Sequence, residues 1–299
     1  MDLNKMKRRK LLNIGLAGLV SAGLALGAGR YLERRFTYVP PQEIAALLDP
    51  HIEAKVHDAE GNRTLFVVGD THLGFGKTYD DLFRNLEKRV SVDKLFMEGV
   101  YDHDAEPDPH IACMKDAAEI ERIRFLPAEW KKEDSQGYFR LSERYDTRGI
   151  EDKELRNDSG ILGRIYTGIL SWSITKDPFT EEKIRELYDK LSVKNFKLDS
   201  LKSMTKPELE SLKLKVKEEG WKTSVCRRNS HLVDVIDREV RPYEVGALIL
   251  GEAHCDASFQ DVPEGKSADI IIPYLQEKGI NVIYIDVGQA VEYNKRMEK

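Results

Sequence analysis

Leu65-Phe66-Val67-Val68-Gly69-Asp70-Thr71-His72-Leu73-Gly74 is the stretch from which the fold is read. Four apolar residues in a row, two of them β-branched, describe a short strand buried on both faces. The strand runs into a glycine, and a histidine follows three residues later. Ala247-Leu248-Ile249-Leu250-Gly251-Glu252-Ala253-His254 repeats the pattern near the other end of the chain. Both copies read apolar strand, Gly, acidic residue, small residue, His. Open α/β sheets bind ligands outside the carboxyl ends of their strands, where turns of this kind place their side chains. A single histidine beside a strand means little; two matched copies point to two strand ends serving one shared site.

Working outward, the alternation over His51–Asp58 and the turn residues Ala59-Glu60-Gly61-Asn62 predict a hairpin that feeds the Leu65 strand. After His72, Leu82, Phe83, Leu86 and Val90 fall at helical spacing, and Lys94-Leu95-Phe96-Met97-Glu98-Gly99 reads as another strand. Strand, helix, strand predicts a βαβ unit with the two strands as parallel neighbours and Glu98 at the same sheet edge as His72. The acid- and His-rich stretch Tyr101–His110 has no regular spacing and reads as a solvated loop. Beyond it come a helix over Ile161–Trp172, a second opened by Asp177-Pro178, and a third behind the capping-box pattern Thr205-Lys206-Pro207-Glu208. A helix over Trp221–Val240 carries Arg228 and Asn229. The chain closes with a helix over Ala268–Lys278, Gly279 as its cap and the strand Ile280–Ile285. The expected fold is α/β, a mixed central sheet flanked by helices. It has pseudo-symmetric halves that each end a strand in Gly-x-x-His, and a helical insertion over about residues 101–220.

The first 35 residues stand apart as a signal or membrane-anchor segment, leaving 36–299 as the α/β domain. Lys5-Met6-Lys7-Arg8-Arg9-Lys10 is strongly basic, and Leu11–Gly29 carries no charge. That run reaches the low end of the length that spans a bilayer, and the basic block before it favours a domain outside the cytoplasm. Arg8-Arg9 also has the look of a twin-arginine export signal. A net charge of −5 argues against nucleic acid as a partner, and three cysteines are too few for a disulfide framework.

Two histidines and a carboxylate are a common ligand set for a catalytic divalent metal, and His72, His254 and Glu98 supply one here. Asp70 and Glu252, two residues before each histidine, are candidates for orienting groups, further ligands or a general base, and equally for plain turn caps. Arg228 suits a developing oxyanion and Asn229 adds a donor beside it, with a helix-surface charge or an ion pair as the plainer role for Arg228.

This ordered set resembles the TraB/PrgY/GumN and Tiki superfamily, more distantly erythromycin esterase and the haem-binding ChaN proteins. The set comprises Gly69-x-x-His72, Glu98 after the next strand, Arg228-Asn229 on a helix and Gly251-x-x-His254. The likeness spans His51 to about Tyr284. It implies a membrane-anchored or exported metal-dependent hydrolase, a peptidase in the Tiki manner, using manganese, cobalt, zinc or iron on a peptide or protein substrate. Within that implication His72, Glu98 and His254 take the metal or catalytic role, and Arg228 and Asn229 support them. Two alternatives stay open: a metal-free, esterase-like hydrolase with a histidine base, and a non-catalytic signalling protein that binds peptide or haem.

Overall fold

The computed structural model describes residues 39–46, 48, 54–70, 76–101, 137, 140–141 and 143–297. The chain divides into the units Met1–Pro40 and Pro41–Lys299, and the sheet with its flanking helices belongs to the second. His72, the stretch from residue 102 to His110 and the apolar run Leu11–Gly29 lie outside the described residues.

A six-stranded mixed sheet forms the centre. It is built from β1 (Lys55–His57), β2 (Arg63–Asp70), β3 (Lys94–Tyr101), β4 (Thr147–Glu151), β5 (Val245–Gly251) and β6 (Ile280–Ile285). The spatial order is β1-β6-β2-β5-β3-β4; β1 runs antiparallel to β6 and every other pairing is parallel. The α/β reading with its mixed sheet therefore holds. Two pairings differ from expectation. β1 does not form a hairpin with β2 but pairs with β6, because Asn281, fully buried within β6, clasps the intervening turn. Its Oδ1 accepts from Ala59 N at 2.8 Å, and its Nδ2 donates to the carbonyls of Gly61 and Arg63 at 2.9 and 3.0 Å. Likewise β2 and β3 are parallel but not neighbours, since β5 lies between them.

That insertion makes the two histidine strands adjacent. β2 leaves through α2 (Gly76–Glu87) and crosses over β5 to reach β3, while β5 leaves through α8 (Ile271–Glu277) and crosses over β2 to reach β6. Side chains alternate along the strands, so Phe66, Val68, Ala247 and Ile249 pack under α2 with Tyr79, Leu82 and Phe83. Leu65, Val67, Leu248 and Leu250 pack on the opposite face with Ile271, Ile272 and Leu275 of α8. Connections from adjacent strands thus leave on opposite faces, and β2/β5 is the topological switch point. The two connections thus cross in opposite directions from the central β2/β5 pair. Gly279, at φ 69°, takes the left-handed conformation that lets α8 turn directly into β6.

α1 (Pro41–Ala46) and α9 (Val287–Met297) cover the α2 face; Asn294 of α9 donates to Thr78 O at 2.8 Å. Between β4 and β5 stand α3 (Lys153–Thr175), α4 (Pro178–Asp189) and α5 (Lys206–Trp221), which form a core of their own from Ile161, Ile165, Ile169, Ile184, Leu209 and Leu212. Local sequence sets their limits. Asp152 and Asp177 accept the first backbone N–H groups of α3 and α4, and Glu208 accepts from Thr205 N at 2.7 Å at the start of α5. The helical insertion is thus observed from Lys153 onward, whereas Thr147–Glu151 within the same stretch is a strand of the central sheet. After α5 the helix continues as a π-helical turn, Lys222–Arg227, into α6 (Arg228–Glu239). The extra residue of that turn rotates α6 relative to α5, and turns of this kind are frequent at functional sites.

Candidate active site

Register places the two motifs side by side: Gly69 pairs with Leu250 and Asp70 with Gly251. Both strands therefore end at one level of the switch point, and the chain beyond each leaves from the same edge of the sheet.

From β5 the chain enters a short helix, α7 (Glu252–Cys255), which buries Glu252, His254 and Cys255. His254 Nδ1 lies 2.6 Å from Asn229 Oδ1, on the first turn of α6. Asn229 is fully buried, and its Nδ2 donates to Oδ1 and the main-chain oxygen of Asp269 at 2.8 and 3.0 Å.

Glu98 comes from the end of β3, where the pairing with β4 slips between Met97 and Tyr101. Such a bulge re-aims the side chains at its start. Glu98 Oε1 accepts from Arg228 Nη2 at 2.6 Å, and Oε2 from the backbone N–H of Gly251 at 2.8 Å. The carboxylate of β3 is thereby tied to the end of β5. Arg228 also donates through Nε to Glu151 Oε2 at 3.1 Å and through Nη2 to Glu151 Oε1. Glu151, fully buried, takes a further bond from Arg156 Nη1 at 3.1 Å. The result is an alternating chain, Glu98–Arg228–Glu151–Arg156. Burial works against the Arg228 charge, but Glu98 and Glu151 outweigh it and hold the guanidinium above its ordinary value. Nη1 of the same group donates to Ser224 O at 3.4 Å. The ion pair read as one plainer role for Arg228 is present, and it clamps Glu98.

The two acidic residues of the motifs lie on opposite faces of the sheet edge. Asp70 Oδ1 accepts from Tyr79 OH of α2 at 2.8 Å, and Glu252 Oε2 from Tyr284 OH of β6 at 2.7 Å. Gly69 has a steric reason to be glycine: a Cβ there would sit 2.6 Å from Glu252 Oε1. Burial, then Glu252, raises the Tyr284 phenol well above its usual range. Cys255 is held as a neutral thiol by burial, with Glu252, Glu98 and Asp256 adding to the effect, so it makes a poor nucleophile.

Comparison with family models, with curated proteins and with solved structures gives no match. The site is therefore read from its own residues.

Of the residues chosen from sequence, Glu98 pairs with Arg228 and His254 with Asn229, the next residue of α6, and Glu252 lies over Gly69 on the same side of the sheet. Asp70 stands across the sheet, and His72 lies outside the described residues. Among the described residues no three His, Cys, Asp or Glu side chains are grouped to hold a metal. Among them too, no helix is long and apolar enough to cross a membrane. Glu151, Asp269, Tyr79 and Tyr284 were not foreseen. The first two act across 77 and 40 residues of sequence, and nothing local marks them. The tyrosines fall at core positions of a helix and a strand, where an aromatic residue needs no further explanation.

Proposed function

We propose that this protein is a metal-dependent hydrolase acting on peptide or protein substrates, with its working groups at the carboxyl ends of β2 and β5. The observation that supports this reading is the way the fold holds His254. Its ring is buried at the switch point with Nδ1 against the Asn229 amide, the second-sphere arrangement usual for a ligating or proton-accepting imidazole. His254, Glu98 and His72 would hold the ion. The chemistry of the described donors fits: the imidazole is oriented through Nδ1 by Asn229, and Glu98 brings a carboxylate held by Arg228 and by the Gly251 N–H. A divalent ion supplies such a site with a water that ionises at about pH 7 and with Lewis acidity toward a scissile carbonyl. Arg228 aims Glu98 through their ion pair, and its positive charge favours oxyanion character nearby. Glu252 and Asp70, each beneath a tyrosine hydroxyl, hold the two strand ends in place. The basic block Lys5–Lys10 and the charge-free run Leu11–Gly29 support a domain anchored to the membrane or exported, working outside the cytoplasm.

A second reading, hydrolysis without metal and with His254 as base, draws support from the engagement of both Glu98 oxygens by Arg228 and Gly251. The experiment is metal content by mass spectrometry on protein purified without an affinity tag, beside His72→Ala and His254→Ala, followed by a peptide-library cleavage screen with and without chelator. Near-stoichiometric manganese, cobalt, zinc or iron that is lost in both variants, with chelator-sensitive cleavage, is the expected result. A folded protein that takes up no added metal overturns the metal reading, and ester turnover that survives chelator establishes the second. Haem or peptide binding with no turnover of any substrate would make the protein a binder.

A further inference from the structure

We propose that Asp269 is a positioning residue that determines which ring nitrogen of His254 carries the proton, acting through the side-chain amide of Asn229. The two ends of an asparagine amide are alike in shape, so something must decide which one faces the imidazole. Asp269 decides it. Asn229 Nδ2 stands 2.8 Å from Asp269 Oδ1 and 3.0 Å from Asp269 O, so both of its hydrogens point at groups that only accept. Turned end for end, the amide would set its oxygen against two acceptors in a site where Asn229 has no exposure to water. Oδ1 therefore faces His254 Nδ1 at 2.6 Å. An amide oxygen cannot donate, so Nδ1 must carry the hydrogen, and the neutral ring has its lone pair on Nε2.

Asp269 is itself held from three directions. Its N–H donates to Gln260 Oε1 at 3.1 Å, its main-chain oxygen accepts from Gln260 Nε2, and its Oδ2 accepts from Tyr274 OH at 3.0 Å. Gln260 Nε2 also donates to Ala253 O at 2.7 Å, one residue before His254. The same glutamine thus ties Asp269 to the short helix that carries the imidazole, and the polarity of the whole chain is imposed from the loop ahead of α8.

The functional weight of this device rests on the reading of His254 as a working group of a hydrolase; the proton position itself does not. The test is a long-range proton–nitrogen correlation spectrum of the full chain with 15N-labelled histidine, at mildly alkaline pH. His254 is assigned by the signals missing from His254→Ala. The wild type is expected to show His254 as the Nδ1–H form alone. Asp269→Asn can still turn a carbonyl toward Asn229 and keeps that form. Asp269→Ala leaves only the main-chain acceptor, so the one-bond Nδ1–H coupling weakens or is lost and Nε2–H signals appear. Should the alanine variant not fold, Asp269→Ser is read by the same criterion. In a hydrolase assay Asp269→Ala lowers kcat with KM little changed, and Asp269→Asn restores it. A wild-type His254 in the Nε2–H form, or wild-type ring signals in Asp269→Ala, overturns the proposal. Expected ring signals in a protein without turnover would instead uphold it and count against the hydrolase reading alone.

Discussion

Replacing Gly69 with alanine adds one methyl group where the end of β2 passes beneath Glu252. That carbon would lie 2.6 Å from Oε1, 2.7 Å from Cδ and 3.0 Å from Oε2 of the carboxylate. The atoms it meets are the far end of a side chain, which elsewhere would swing aside at little cost. Here the carboxylate is buried and accepts the Tyr284 hydroxyl at 2.7 Å, so moving it breaks a charge-assisted bond inside the protein. Overpacking of this kind costs about 1–3 kcal/mol. Loss of a hydrogen bond to a charged group adds roughly 1.5–3 kcal/mol. The expected destabilisation is about 2.5–6 kcal/mol, a fall in Tm of roughly 5–20 °C for a domain of this size. Guanidinium unfolding followed by circular dichroism reads it directly. Gly160→Ala is the control: nothing lies within 4 Å of its added carbon, and it sits inside α3. That change should stabilise the protein by about 0.5–1 kcal/mol. In a Glu252→Ala background the collision partner is gone, and the cost of Gly69→Ala should shrink to below about 1 kcal/mol. An equal cost in both backgrounds, or a Gly69→Ala protein as stable as the control, would show that Glu252 does not lie over β2.

Glu151→Ala removes the carboxylate shared by Arg228 and Arg156 and leaves a buried guanidinium short of a partner; a loss of about 3–5 kcal/mol is expected in the same unfolding assay, and a loss below about 1 would mean water replaces the carboxylate. Asp80 predicts a pH effect. Burial alone would raise its carboxyl, but Arg140, Arg144 and Arg84 outweigh burial and hold it below the ordinary value of 3.8. With the folded value depressed, the stabilisation is fully present above the unfolded value and is lost as pH falls through the folded one. Asp80→Asn should therefore flatten the acid limb of the stability–pH curve below about pH 4, and an unchanged limb would contradict the ion pairs drawn around it.

What could be read from the chain was local. The apolar runs Leu65–Val68, Ala247–Leu250 and Ile280–Ile285 marked three central strands, and Asp177-Pro178, Thr205 with Glu208, and Gly279 marked helix ends through contacts within a few residues. Strand order was not legible, because nothing in β2 or β3 says that a strand 144 positions beyond the end of β3 will pass between them. Neither was β4: Thr147-Arg148-Gly149-Ile150-Glu151 holds a single large apolar residue and owes its place to pairing with β3. At the site, Glu98, Asn229 and His254 carry local signals, a strand end or a helix turn, and the fold sets His254 against Asn229 and Glu98 against Arg228. Their supports were missed for the same reason as the strand order, since a carboxylate that works at a distance along the chain looks like any other surface acid until the fold closes.

The exchange of connections between β2 and β5 also bears on how the protein is made. Until Val245–Gly251 has been synthesised, β2 and β3 have no bond to one another, and the slot between them is open. The strand that fills that slot therefore joins β2 to β3 and, in the same step, delivers Gly251 to Glu98 and His254 to Asn229. A chain that stops short of this strand lacks the contacts that join Gly251 to Glu98 and His254 to Asn229.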